Sequence, residues 1–319
     1  MILKAIRNLF RQPNFYLILG IYTFFLSYFP LLIEPIRRTN FDVVYGGGLF
    51  MFSIICFAEY TTRKFGGFSQ LREILKNPKT LFTYLIVGLI GGVILDGIAH
   101  WLSRLWIYPF WGTEFYLTVF IAGFSAYYLC IISSYLIVKT IIDKLRKGKK
   151  YITRPKKSLN TVFFILSILS VILISIGISG MLIGFIQGNY PLFGENVPVE
   201  TSINFIFIIP LFFGIWFFIE YLGYRLGRNT FIKEIIHGYY DSIIAVFLSS
   251  LILLIIMESQ NGPIQLWTYL NWPLQEIKLF YTPITAIIAW PFHYLAILSL
   301  YKVISKDQTK NILQGDKID

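Results

Sequence analysis

The chain has 319 residues, of which 56% are hydrophobic and 14% are charged, and its formal net charge is +11. A mean hydropathy of +0.65 and several apolar runs longer than the ~18 residues that span a bilayer exclude an ordinary soluble domain. The composition predicts an all-α, polytopic membrane protein.

The apolar runs predict eight membrane-spanning helices, four in each half of the chain. The first run follows a basic start, but it is too long for a removable signal peptide, and no small-residue cleavage site follows it. We therefore interpret it as a membrane helix. In chain order, the predicted spans are 14–33, 44–60, 80–100, 115–138, 161–186, 203–222, 241–258 and 279–301.

Positive charge is concentrated on alternate connecting segments. The two termini and the segments 61–79, 139–158 and 224–240 carry 24 of the 28 Lys and Arg residues. Because cytoplasmic loops are enriched in Lys and Arg, this pattern predicts a cell-membrane protein with both termini in the cytoplasm. The basic run at 144–157 joins two predicted spans, so we interpret it as facing anionic lipid headgroups and expect no nucleic-acid partner.

The sequence matches itself at one constant offset, which aligns Trp106 with Trp267. The match is ungapped over 30–111 and pairs FAEY (57–60) with FIEY (218–221), and LWIYPFW (105–111) with LWTYLNW (266–272). Tryptophan occurs only seven times in the chain, so the agreement of two spaced tryptophan pairs favours a true internal duplication.

The duplication predicts two structural halves, an N-terminal four-helix repeat over 1–150 and a C-terminal four-helix repeat over 151–319. Each half has an even number of predicted spans, so both begin and end on the same side of the membrane. The halves are therefore expected to be parallel repeats, related by a pseudo-two-fold axis along the membrane normal.

Each half carries an acid, an aromatic turn and a second acid at its predicted outer face. Asp96 and Glu258 each follow sixteen uncharged residues, so they are expected at equal depth just inside the far membrane boundary. Glu114 and Glu276 follow the two turns. The aromatic residues of the turns are Trp106, Tyr108, Trp111, Trp267, Tyr269 and Trp272.

An ionisable group at that depth costs a few kcal/mol unless it is neutral or paired, which favours a functional role. Burial raises the pKa of a carboxyl and keeps it protonated, so it can donate a proton. Aromatic faces stabilise a nearby cation by about 1–2 kcal/mol. Asp96, Glu114, Glu258 and Glu276 are therefore the predicted catalytic residues, and the turn aromatics are the predicted substrate-binding residues, together with His100, one helical turn after Asp96.

A purely structural interpretation stays open for the same residues. Tryptophan and tyrosine gather at the interfaces of any polytopic membrane protein, and acids at helix ends can simply face water. His100, His237 and His293 are too widely separated to predict a metal site, and His293 is interpreted as part of the core. Glu59 and Glu220 lie at helix ends near basic residues and are interpreted as local ion pairs.

Two segments resemble a known family. Residues 95–116 read LDGIAHWLSRLWIYPFWGTEFY, and residues 257–281 read MESQNGPIQLWTYLNWPLQEIKLFY. They resemble the lycopene cyclase domain of the heterodimeric bacterial and fused archaeal or fungal type. Its motif is an apolar helix ending in Asp, a turn bearing W-x-Y, and a P-L-E-E segment that PLQE at 273–276 resembles. The resemblance covers roughly 80–120 and 241–285.

The resemblance implies an integral membrane enzyme that acts on a carotenoid or polyprenyl lipid without a cofactor. In such chemistry an acid protonates a polyene, a cation forms, a ring closes and a base removes a proton, as in an intramolecular lyase or isomerase. Isomerisation or hydration would use the same groups. The expected partners are membrane lipids and a hydrophobic substrate, and a homo-oligomer is compatible with the sequence. The alternatives are a proton-coupled small-molecule or lipid transporter built from two parallel repeats, and a non-catalytic membrane subunit.

Overall fold

The computed structural model describes residues 12–33, 40–66, 69–102, 105–108, 113–146, 156–187, 203–265 and 267–304. Both termini and the predicted boundary between the halves, at 150/151, lie outside these ranges. The described residues are mostly helical. Their α-helices are α1 (Pro13–Leu26), α2 (Asn40–Phe65), α3 (Gln70–Lys76), α4 (Pro78–Asp96), α5 (Thr113–Leu145), α6 (Lys156–Gln187), α7 (Ile203–Arg225), α8 (Phe231–Ile236), α9 (Asp241–Ile264) and α10 (Ile284–Ile304).

Short elements occupy the connections at one end of the helices. A 3-10 turn, Phe29–Leu32, follows α1, and a π-helical turn, Gly97–Leu102, extends α4. Four two-residue strands complete this end, and we call it the strand end. They are β1 (Trp106–Ile107), β2 (Thr268–Tyr269), β3 (Lys278–Leu279) and β4 (Thr282–Pro283).

Proline and glycine define several helix boundaries. Pro13 and Pro78 lie at the starts of α1 and α4, where the missing proline N–H has no partner to lose. Gly66 follows α2 with φ +79°, and Gly227 follows α7 with φ +70°. Residues with a Cβ atom avoid this left-handed conformation. The self-match of the sequence aligns these two glycines with each other.

Six helical segments in the described part of the chain are long and apolar enough to cross a membrane. They are Pro13–Leu32, Gly123–Leu145, Ser158–Ile183, Ile206–Arg225, Asp241–Pro263 and Ile284–Val303. The predicted spans 44–60 and 80–100 fall on α2 and α4 and are not among the six, and the apolar part of α4, Pro78–Gly92, is shorter. The helical architecture is confirmed, whereas the number of eight spans stays a prediction.

Large apolar side chains cover the outside of several of these helices. Ile18, Phe25 and Ile186 are 68%, 71% and 80% exposed. Such surfaces are unfavourable in water when they are contiguous, and they suit contact with lipid chains. The exposed side chains therefore agree with the membrane character that the hydropathy predicts.

Helix α5 lies at the centre of the described structure. Its residues 128–136 are all buried, and it packs against α2, α4 and α9. Helix α10 packs against α7 and α9, α1 packs against α2, and α6 packs against α7. When α1, α2, α4 and α5 are compared with α6, α7, α9 and α10, the three principal contacts of the first set each have a counterpart in the second.

Charged side chains are buried at the end of the helices opposite the strand end. The Glu234 carboxylate accepts hydrogen bonds from Lys302 Nζ at 3.1 Å and from Asn229 Nδ2 at 2.7 Å. Glu234 and Lys302 are each 1% exposed, and Lys302 Nζ lies 3.6 Å from the centre of the Phe231 ring. A buried ion pair therefore joins α8 to the last turn of α10.

The two repeated glutamates near this end have different partners. Glu59 forms an ion pair with Arg63 and accepts a hydrogen bond from Ser69, so its predicted local pairing is confirmed. Glu220 instead accepts the Ile232 N–H at 2.8 Å and the Ser299 hydroxyl at 2.6 Å. Both contacts are tertiary, because Ile232 lies on α8 and Ser299 lies on α10. Glu220 is only 1% exposed.

Candidate functional site at the strand end

The two aromatic turns meet in the structure. Strand β1 pairs with β2 in antiparallel register, with Trp106 opposite Tyr269 and Ile107 opposite Thr268. The self-match of the sequence also aligns Ile107 with Thr268, so residues at equivalent positions of the two halves face each other.

Further hydrogen bonds hold the turns together. The Leu105 carbonyl accepts the Leu270 N–H and the Trp272 Nε1–H, both at 2.9 Å. Leu105 is 2% exposed and Trp272 is 8% exposed. The indole N–H of Trp272 therefore joins the second turn to the first.

Glu258 is buried beside this junction. It lies on α9, is 1% exposed, and accepts hydrogen bonds from three side chains. The Tyr269 hydroxyl donates to Oε1 at 2.6 Å, Trp267 Nε1–H donates to Oε1 at 3.2 Å, and Asn261 Nδ2–H donates to Oε2 at 3.2 Å. Of the predicted residues, the structure thus brings Glu258, Trp267 and Tyr269 into one hydrogen-bonded group.

Tyr269 is a hydrogen-bond donor to this carboxyl group. Burial raises the pKa of its phenol well above the ordinary value, and the nearby negative charge of Glu258 raises this pKa further. The hydroxyl therefore stays protonated at neutral pH. The hydrogen bonds that Tyr269, Trp267 and Asn261 donate stabilise the ionised form of the Glu258 carboxyl group, whereas burial favours its neutral form.

Asn261, which the sequence analysis did not single out, orients the Trp267 backbone. Its Oδ1 accepts the Trp267 N–H at 3.0 Å, and its Nδ2–H donates to the Trp267 carbonyl at 3.2 Å. In the first half His100 Nδ1 bonds the Trp106 carbonyl at 2.7 Å. The self-match aligns His100 with Asn261 and Trp106 with Trp267. This alignment is the signal in the sequence that could have identified Asn261.

The contact of His100 determines which of its ring nitrogens carries hydrogen. A carbonyl oxygen can only accept, so Nδ1 must be the donor, and a neutral imidazole then has its lone pair on Nε2. The His100 ring also lies 5.3 Å from the ring of Tyr108. His100 and Tyr108, two of the predicted substrate-binding residues, therefore lie together next to β1.

The remaining predicted residues have different environments. Asp96 is the last residue of α4 and Glu114 is the second residue of α5, but the positions of their side chains lie outside the description. Trp111 also lies outside the described residues. Glu276 is exposed between β2 and β3, so the two predicted acids of the second half are in unlike surroundings.

An apolar and aromatic cluster surrounds the junction of the turns. Its buried members include Ala99, Leu105, Tyr269 and Trp272, with Trp106, Trp267 and Trp290 packed against them. Such surroundings exclude bulk water and present ring faces that stabilise positive charge. A carboxyl group held there can donate or accept a proton beside a hydrocarbon.

Comparison with known proteins gives no family. No family model, no curated protein and no solved structure matches the chain.

Proposed function

We propose that the chain is an integral membrane enzyme that acts on a carotenoid or polyprenyl lipid by acid–base chemistry. The observation that carries this proposal is Glu258, a buried carboxyl group hydrogen-bonded to the aromatic turn and bordered by an apolar, aromatic cluster. A hydrocarbon substrate fits such surroundings, and proton transfer to and from a double bond requires a carboxyl group and no cofactor.

The proposed reaction begins with Glu258 protonated. The carboxyl O–H bond breaks and a C–H bond forms at one carbon of a substrate double bond, which leaves a carbocation at the other carbon. The rings of Trp267 and Tyr269 stabilise this cation. Loss of a proton from a neighbouring carbon, after ring closure or directly, returns the proton to the carboxylate, and the product is an isomer of the substrate.

The proposed architecture consists of two parallel four-helix halves, 1–150 and 151–319, with eight spans and a pseudo-two-fold axis along the membrane normal. Support comes from the left-handed glycines, from the paired helix contacts and from the register of β1 and β2. In this proposal the strand end faces out of the cell and both termini are cytoplasmic, with the protein in the cell membrane.

A proton-coupled transporter is a second candidate, favoured by one observation. Buried ionisable groups occur at both ends of the second half, namely Glu258 at the strand end and Glu234, Glu220 and Lys302 at the opposite end. Intramembrane ionisable groups mark proton pathways in pumps and transporters. This candidate leaves the hydrogen-bonded aromatic turns without a chemical role.

Expression of the full chain in a lycopene-producing host tests the proposed enzyme. We expect new carotenoid or isoprenoid products, detected by chromatography and mass spectrometry, because the host supplies a polyene in the same membrane. The matched control is the host with an empty vector. Unchanged lipids together with proton-coupled uptake into vesicles that contain the chain would contradict the enzyme and favour transport.

A further inference from the structure

A second group of polar side chains lies close to Glu258. Trp290, His293 and Tyr294 are three and four residues apart on α10, so they share one face of that helix. Trp290 Nε1, His293 Nε2 and the Tyr294 hydroxyl are buried and make no hydrogen bond of good geometry among the described residues, although the Tyr294 hydroxyl lies near Trp290 and Tyr127. Tyr294 is fully buried, at 0% exposure.

These side chains form one local group. The ring of His293 lies 6.2 Å from the ring of Trp290 and 6.2 Å from that of Tyr294. Tyr127 on α5 faces them, with its ring 6.0 Å from that of His293. Helix α5 also packs against α9, the helix that carries Glu258, so the group lies between the same helices as the carboxyl site.

Depth along the helices agrees with this proximity. Glu258 lies six residues before the end of α9, and Trp290 lies six residues after the start of α10. Each is therefore about 9 Å from the strand end of its helix, and the two helices pack against each other.

Three buried polar atoms without a well-formed hydrogen bond on one face of α10 require an explanation. Each buried polar group without a hydrogen bond costs about 1–3 kcal/mol, and native proteins satisfy such groups with ordered water or a ligand. A buried water molecule needs two to four polar partners. An indole N–H, an imidazole nitrogen and a hydroxyl supply the donors and acceptors that one water molecule requires.

We propose that Trp290, His293 and Tyr294 hold a water molecule next to Glu258, and that this water is a reactant. The inference rests on the proposed function and makes its reaction the hydration of a carbon–carbon double bond. The substrate class is then a carotenoid or polyprenyl lipid with a trisubstituted double bond, and the product is a tertiary alcohol.

The chemical steps balance without an oxidant or a cofactor. Glu258 gives its proton to one alkene carbon, so an O–H bond breaks and a C–H bond forms. The water oxygen then forms a C–O bond with the resulting cation. The proton that the water loses restores the Glu258 acid, either directly or through His293 Nε2. The net change is the addition of one water molecule across the double bond.

Isotope labelling separates this inference from the proposed function. The lycopene-producing host with the full chain is grown in water enriched in heavy oxygen, and its lipids are examined by mass spectrometry. We expect a product that has gained one water molecule and carries the label. A new product with the mass of its precursor and no label would overturn the hydration inference but leave acid–base catalysis standing. No new product at all would contradict the proposed function itself.

Tyr294→Phe tests the assigned atoms. Loss of one partner of the water should lower the labelled product roughly ten-fold, since about 1.4 kcal/mol corresponds to a factor of ten in rate. The trapped cation should lose a proton instead, so unlabelled isomers should rise. Tyr128→Phe is the matched control, because Tyr128 is also buried with an unpartnered hydroxyl but lies in the α5 core against Tyr301. Labelled product at the wild-type level in Tyr294→Phe would overturn the assignment.

Discussion

Glu258→Gln is expected to lower product formation in the lycopene-producing host by at least about 100-fold, the lower limit of typical general acid–base contributions. Glutamine is close to glutamate in size, and its single carbonyl oxygen can still accept the hydrogen bonds that Tyr269 and Trp267 donate to Oε1. It has no proton to transfer at neutral pH. The loss should therefore be chemical, and the variant should reach the membrane in normal amounts. Product yield per amount of membrane-inserted protein measures the effect.

Glu220→Gln is the matched control for this variant. Glu220 is as deeply buried as Glu258, at 1% exposure, but it lies at the opposite end of the helices. The same replacement there should keep the product, even if it lowers stability through the contacts with Ile232 and Ser299. Wild-type yield from Glu258→Gln, or equal losses from both variants, would contradict a catalytic role for Glu258.

Lys302→Met is expected to lower the free energy of unfolding by about 3–5 kcal/mol, because it leaves a buried carboxylate without its cation. Glu234 and Lys302 are both 1% exposed, and Lys302 Nζ lies 3.1 Å from Glu234 Oε1. Thermal unfolding of the purified protein in detergent micelles measures the change. Lys278→Met replaces an exposed lysine and should alter stability by less than about 0.5 kcal/mol.

The effect of Lys302→Met should depend on pH. Burial raises the pKa of Glu234 above its ordinary value, and the charge of Lys302 opposes that rise. In the variant the carboxyl group therefore binds a proton more tightly in the folded than in the unfolded state. The ionised Glu234 destabilises the folded variant most at pH values above the pKa that this carboxyl group has in the folded state. The destabilisation shrinks as the pH falls toward the pKa that the group has in the unfolded state. We therefore expect the difference in the free energy of unfolding between the wild type and Lys302→Met to become smaller as the pH is lowered.

A second replacement tests whether the two side chains act as a pair. Lys302→Met combined with Glu234→Gln removes both charges and should recover much of the lost stability, since replacing a whole buried ion pair is often nearly neutral. A double variant whose loss equals the sum of the two single losses would show that the residues do not interact.

The helical framework was predictable because long apolar runs in a sequence indicate membrane helices. The predicted span 241–258 lies within α9, which continues to Ile264. Its extension past Glu258 was not predictable from hydropathy, because the residues that follow are polar. The same continuation buries Glu258 and carries Asn261 to the Trp267 backbone.

The pairing of the two aromatic turns was not predictable. Strands of two residues have no alternating pattern from which a β-strand can be inferred, and the self-match shows similarity without showing contact. Glu220 illustrates a related difficulty. Its nearby basic residues favoured a local ion pair, but the short helix α8 brings a backbone N–H to the carboxylate.

The group of polar side chains on α10 was predictable from the sequence only in part. The spacing of Trp290, His293 and Tyr294 places them on one side of a helix, but which neighbour they face depends on tertiary packing. His293 was interpreted as core structure, and its contact with Tyr127 near Glu258 emerged only from the packing of α5 against α10.

Deuterium transfer tests most directly whether Glu258 delivers a proton to a hydrocarbon. Membranes that contain the full chain are incubated with lycopene in deuterated water, and the recovered lipids are analysed by mass spectrometry. We expect carbon-bound deuterium in a product formed by the wild type and none above background with Glu258→Gln. Absence of deuterium with the wild type, or equal incorporation with the variant, would contradict the proposed acid–base function.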